Sequence, residues 1–198
     1  MKVPTFTLDT NCIIAIDDSR PEASFVHELI KAHNQGNASV AIVAISASEK
    51  QKTGGYIENF AEFKDRIENL GLGHLNLLAP MFYWDITFFD YCLWCDESMT
   101  SLEMGIHKIL FPKIPFLWAD YCTAHNLSVE TDCPDKKWRN AKCDVQAYWS
   151  HVHGRRDVFV TTDNNYLKSK KANLISLSGS RIETPESAVG LFSKHSSG

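Results

Sequence analysis

The chain has 198 residues and a mass of 22.4 kDa, room for one domain with its own core and little more. A composition of 44% hydrophobic and 22% charged residues excludes collagenous, low-complexity and mainly disordered classes. A net charge of −4 with a pI near 6.0 denies the chain the broad positive field of many nucleic-acid binders. No apolar run approaches the roughly 18 residues of a membrane span, and Asp9 interrupts the N-terminus before a signal sequence can form, so a soluble, cytoplasmic protein is expected.

Pro4-Thr5-Phe6-Thr7-Leu8-Asp9 is β-branched and aromatic and reads as a strand that delivers an acid to its carboxyl end, with a helix or turn starting at Cys12. Phe25, Val26, Leu29 and Ile30 recur at helical spacing over 21–34, and Gln35-Gly36-Asn37 breaks that helix. Residues 39–45 form an almost unbroken apolar run, the mark of a buried parallel strand, and Glu49 follows just beyond it. Helical spacing returns over 57–70 and stops at Gly71 and Gly73. From 74 to 135 the pattern blurs into aromatic-rich segments, of which 102–110 and 116–125 are the most helical. Residues 141–153 read as a helix with Asp144 in its first turn, and 157–163 as a strand ending in Asp163. A fourth short strand is expected over 173–177, Thr184-Pro185-Glu186 opens a last helix through Phe192, and 193–198 is a polar, flexible tail.

Six cysteines, at 12, 92, 95, 122, 133 and 143, are spread through a core-forming sequence and are expected as free, mostly buried thiols. Cys92 and Cys95 have redox or zinc spacing, but their apolar surroundings suit a packed helix face and no second pair completes a zinc site.

Strands alternating with helices predict an α/β protein, a three-layer α/β/α sandwich on a mainly parallel sheet, with ligands bound beyond the carboxyl ends of the strands. Asp9, Glu49 and Asp163 all fall at such ends, and Asp144 lies in the helix that feeds the last of them. Gathered carboxylates raise one another's pKa unless a cation neutralises them. Mg²⁺ or Mn²⁺, which prefer oxygen ligands and retain waters, would resolve that conflict and generate a nucleophile for phosphodiester hydrolysis.

In this order the residues resemble the PIN-domain nucleases. Leu8-Asp9-Thr10-Asn11 is similar to the family's opening acid motif, with Asn11 in support, and Glu49 matches the second acid. Asp144-Val145-Gln146-Ala147, followed by the run from Asp157 to Thr161-Thr162-Asp163, resembles the family's most recognisable stretch, with a third acid, a strand, a hydroxyl at Thr161 and a fourth acid. The resemblance covers most of residues 1–192 and implies a PIN-like domain that cuts RNA with Mg²⁺ or Mn²⁺ held by Asp9, Glu49, Asp144 and Asp163. It also implies partners: an RNA substrate, and in some relatives a small antitoxin or other protein inhibitor, with room for a homodimer. Asn165 stands where many members carry another acid, and the segment 74–135 is longer and more aromatic than the family pattern, so no roles are carried onto it.

Lys136, Lys137, Arg139 and Lys142 precede Asp144, and Arg155 and Arg156 follow its helix, a placement that could guide a phosphate backbone or simply form a solvated face. Trp138, Tyr148 and Trp149 are expected in the core, and His151 and His153 lie too far round a helix to share an ion. Two other readings stay open. Asn165 suits a PIN-like scaffold that binds RNA or protein without cutting. A small-ester phosphohydrolase is disfavoured because Asn11 stands where its second acid belongs.

Overall fold

A computed structural model of the chain describes residues 2–49, 56–130 and 134–193, with residue 193 described by its backbone alone. In chain order the elements are β1 (Thr5–Leu8), α1 (Thr10–Asp17), α2 (Ala23–Asn34), β2 (Ser39–Val43), α3 (Phe60–Asn69), β3 (Asn76–Leu78), α4 (Glu97–Leu110), α5 (Trp118–His125), α6 (Lys136–His153), β4 (Val158–Val160), α7 (Asn164–Leu167), α8 (Lys171–Ser178), β5 (Arg181–Glu183) and α9 (Pro185–Ser193). Short 3₁₀ turns lie at Ala44–Ser48 and Phe89–Tyr91.

Among the described residues the five strands form one sheet in the order β3-β2-β1-β4-β5, every pair parallel. Leu8 stands beside Ile42 on one flank and Val160 on the other, so β1 is central and buried on both faces. The pleat sorts side chains between two cores. Phe6, Leu8, Val40, Ile42, Val158 and Val160 pack with α1, α2, α3 and α9, whereas Val43, Phe159 and Ile182 pack with α4, α5, α6 and α8. Helices therefore cover both faces, and the expected three-layer α/β/α sandwich is what the chain adopts. None of the helices described is long and apolar enough to cross a membrane.

Local chemistry explains where elements begin. Asn59 accepts the backbone N–H of Glu62 and donates its amide back to that side chain, which opens α3. Asp96 opens α4 through the N–H of Met99, and Asp135 opens α6 through those of Lys137 and Trp138.

Several expectations are corrected. Residues 173–177 lie within α8, not a strand: this short, largely apolar stretch is taken into a helix that ends at Gly179, with a φ of 72°, and the fourth predicted strand is displaced to β5. The Asp135 cap starts α6 earlier than expected, so Asp144 is not in its first turn but the ninth of its 18 residues. The 39–45 run stops as a strand at Val43 and tightens into a 3₁₀ turn, and β3 was hidden in the blurred segment. Cys92 and Cys95 are not on a helix face: they follow the 3₁₀ turn at Phe89–Tyr91 in non-helical chain, where Trp94 and Cys95 are exposed. Cys12, Cys122 and Cys143 are buried free thiols, whereas Cys133 and the tail beyond 193 lie outside the described residues.

The helical face is tied together by a buried ion pair. Lys142 Nζ donates to Glu103 Oε1 at 3.0 Å with both side chains fully enclosed, and Tyr83 and Gln146 donate to the same carboxylate. Burial pulls the Lys142 pKa down and the Glu103 charge pushes it back up. Removing one partner strands a charge, so Glu103→Leu is expected to lower unfolding free energy by about 3–5 kcal/mol. Adding Lys142→Met is expected to recover much of the loss. Urea denaturation checks both, and a double variant no more stable than the single one would contradict the assignment.

Candidate functional site

The strand order reverses direction at β1, whose neighbours are β2 and β4, so the carboxyl ends of β1 and β4 form the switch point at which sheets of this kind bind ligands. Asp9 follows β1 directly and Asp163 follows β4 by way of Thr161 and Thr162. Asp9 is 4% exposed and caps α1 by position alone, its carboxylate being turned to other donors. Thr161 Oγ1 donates to Asp9 Oδ2 at 2.7 Å, and Asn11 Nδ2 donates to the same oxygen at 3.3 Å. Thr161 Oγ1 also accepts the backbone N–H of Asp163 at 3.0 Å, so one buried hydroxyl links the first and fourth acids. Asp163 in turn caps α7 through the N–H of Asn165.

Glu49 leaves the 3₁₀ turn after β2, and its carboxylate takes a hydrogen bond from the Thr10 side chain. Two contacts fix that turn. Thr10 Oγ1 and Ser46 Oγ lie 2.7 Å apart, and the Arg139 guanidinium donates to the carbonyl of Ser48. Asp144 projects from the middle of α6, on the stripe it shares with Lys136, Asn140 and Cys143. These three residues, Asp144 and Glu49 line a cavity of about 330 Å³. Tyr166 donates its hydroxyl to the Asp144 carbonyl at 2.7 Å, which holds α7 against α6.

The electrostatics show that the four acids share one environment. Burial pushes Asp9 from the usual 3.8 up to about 6, against the hydrogen bonds from Thr161 and Asn11, and the Asp163 charge adds to the rise. Burial, then the Asp9 charge, brings Glu49 to about 7. Asp144 is pushed far above the ordinary carboxylate range by burial and by the charges of Asp9, Glu49 and Asp163, which Lys170 only partly offsets. Such a set has the chemistry of a hard-cation site: oxygen donors, excess negative charge and little internal compensation. Among the described residues, however, no three acidic, histidine or cysteine side chains already close around a common point for an ion. Loading the site therefore calls for the carboxylates to draw together.

The basic residues separate into distinct roles. Lys136 and Lys137 are exposed at the start of α6, and Lys136 reaches the cleft. Arg139 is buried, holding the carbonyls of Ser48 and Asp85 and lying 4.1 Å from the centroid of Tyr56, and Lys142 is sealed in its ion pair. Arg155 and Arg156 sit at the opposite, amino-terminal edge, where Arg156 grips the carbonyls of Phe6 and Ser39. The structure thus corrects the flanking picture: Arg139, Lys142, Arg155 and Arg156 are not presented beside the acids. Trp138, Tyr148 and Trp149 are core residues as expected. His151 is buried against Thr7, away from the acids, and His153 stacks on Trp149.

Sequence reasoning missed Thr10, Tyr166 and Lys170. Thr10 had a signal, since it stands between Asp9 and Asn11, whereas the other two are brought in by α7 and the turn after it. Comparison with models of known families, with curated proteins and with solved structures finds no match to this chain.

A raised acid pKa means the folded state binds the proton more tightly than the unfolded one, so the associated stability is present below pH 4 and is lost as pH rises through about 6 at Asp9. Asp9→Asn removes that penalty. In chelator, the variant is expected to gain stability relative to wild type between pH 4 and pH 8, by about 3 kcal/mol from the conversion of 1.36 kcal/mol per pKa unit. Urea midpoints at the two pH values measure this; a difference independent of pH would show that Asp9 is not held in a proton-binding, charge-crowded site.

Proposed function

We propose that the protein is a PIN-like, metal-dependent endoribonuclease, with Asp9, Glu49, Asp144 and Asp163 holding Mg²⁺ or Mn²⁺. The observation that carries this reading is the gathering of acids beyond the strand ends: Thr161 joins Asp9 to Asp163, Glu49 and Asp144 line one cavity, and the charges of Asp9, Glu49 and Asp163 bear on Asp144. The bound cation would supply Lewis acidity at a phosphate oxygen and a lowered pKa for a water nucleophile. The chain's own groups do the positioning. Thr161 fixes the Asp9 carboxylate and the Asp163 backbone together, Asn11 supports the same Asp9 oxygen, and Arg139 holds the turn that carries Glu49. Lys136, on the cleft wall, is placed to receive a phosphate backbone, with Lys137 beside it. A cytoplasmic setting, an RNA substrate, an antitoxin-like inhibitor and a homodimer all belong to this reading.

A second reading, a scaffold that binds RNA or protein without cutting, is favoured by Asn165, whose backbone N–H caps against Asp163 where a further acid would add a ligand. Asn11 donates an amide to Asp9, which argues against a phosphohydrolase that needs an acid there.

The test is cleavage of a panel of unstructured RNAs by purified protein with Mn²⁺ or Mg²⁺. Wild type is expected to cut internally, chelator to abolish the activity, and Asp144→Asn to lower the rate by at least about a hundredfold while keeping its circular-dichroism spectrum. Thr161→Val is expected to lose about tenfold or more through misplacement of Asp9. RNA bound but left intact would establish the scaffold instead, and equal cleavage by Asp144→Asn would trace the activity to a contaminant.

A further inference from the structure

A cavity of about 600 Å³ opens at the amino-terminal edge of the sheet, the opposite end from the acids. It lies among the start of the chain, the turn from α6 to β4, the turn from α8 to β5, and α9, and it contains a concentration of positive charge that the carboxylate site does not use. Lys2, Arg155, Arg156 and Arg181 line it against a single acid, Asp157. Asp157 is already committed: it accepts from Lys2 Nζ at 2.9 Å and from the backbone and hydroxyl of Thr5. No ion pair among the described residues involves Arg155, Arg156 or Arg181. Arg156 spends one terminal nitrogen on the carbonyls of Phe6 and Ser39, but its Nε is buried without a partner. That Nε is sealed from the cavity, but the other terminal nitrogen of Arg156 makes no hydrogen bond among the described residues and is not buried, so it is free to donate to an acceptor from a bound molecule.

The backbone supports the same conclusion. Helix α6 ends in a Schellman turn: Arg155 N donates to Val152 O and Arg156 N to His151 O. The position that must turn left-handed in that motif favours glycine, yet it holds Arg155, with a φ of 50°, while Gly154 stands one residue earlier in ordinary helical conformation. A guanidinium is therefore kept at the cavity mouth at a conformational cost that glycine would avoid. Beside the cations, Val152 and Leu191 give the cavity an apolar wall. Guanidinium groups match phosphate oxygens in pairs, and the cavity has the volume of a small-ligand site.

We propose that this cavity binds a mononucleotide, its phosphate held by Arg155, Arg156 and Arg181 and its flat base laid on the Val152 and Leu191 wall. The site is separate from the carboxylate edge and does not depend on the nuclease reading. Titration calorimetry of the full chain with AMP, adenosine and inorganic phosphate tests it. AMP is expected to bind saturably, with adenosine and phosphate each at least about tenfold weaker. Arg155→Gly combined with Arg181→Ala is expected to weaken AMP by about tenfold or more. Arg155→Gly alone is expected to raise Tm, so lost binding cannot be laid to unfolding. Asp144→Asn is expected to bind AMP as wild type does. Absence of saturable heat with AMP, phosphate binding as tightly as AMP, unchanged affinity in the double variant, or loss of AMP binding in Asp144→Asn would each overturn the proposal.

Discussion

Crowding of desolvated negative charge at one end of a parallel sheet is the constraint around which the site is arranged. Three of the acids, Asp9, Glu49 and Asp144, are driven toward their neutral forms by burial and by one another, and the hydrogen bonds from Thr161, Asn11 and Thr10 and the charges of Arg66 and Lys170 offset this only in part. Stability alone offers no reason to hold carboxylates there, because a buried charge without a partner is costly. The chain has a ready alternative, an ion pair closed on itself, and uses it between α4 and α6: Lys142 and Glu103 compensate one another at full burial. Chemistry that consumes the excess charge is the economical explanation for the first arrangement, and packing for the second.

The fold and the edge reached by Asp9, Glu49 and Asp163 are legible in the sequence for one physical reason. In a parallel sheet covered on both faces, strands must be short apolar runs, and whatever follows them is delivered to the same edge. The 39–45 run and the strand before Asp163 announced themselves in this way. What escaped was set by tertiary context. Residues 173–177 are short and largely apolar like a strand, yet Leu174 enters the core from a helix that Gly179 terminates. The reach of α6 was hidden because Asp135, not periodicity, decides where it starts.

Side-chain roles were the least legible, because charge in a sequence does not reveal exposure. Six basic residues flanking Asp144 looked alike on paper. Folding divides them into two solvated lysines, a buried clamp, half of a closed ion pair, and two arginines on the far edge of the sheet. Thr161 reads equally as an ordinary strand former and as a supporting hydroxyl, and only the fold shows that it hydrogen-bonds to both Asp9 and Asp163.

The Arg139 clamp has a consequence for how the sequence can drift. Its guanidinium joins the turn that carries Glu49 to the aromatic segment at Asp85, and at both ends it grips main-chain oxygens. Every amino acid supplies that oxygen, so replacements at 48 and 85 that keep the local backbone path leave the brace in place. The whole demand for chemical identity falls on one position, 139, and a lysine there, offering a point charge in place of a planar fork, would hold one of the two strands of chain and release the other.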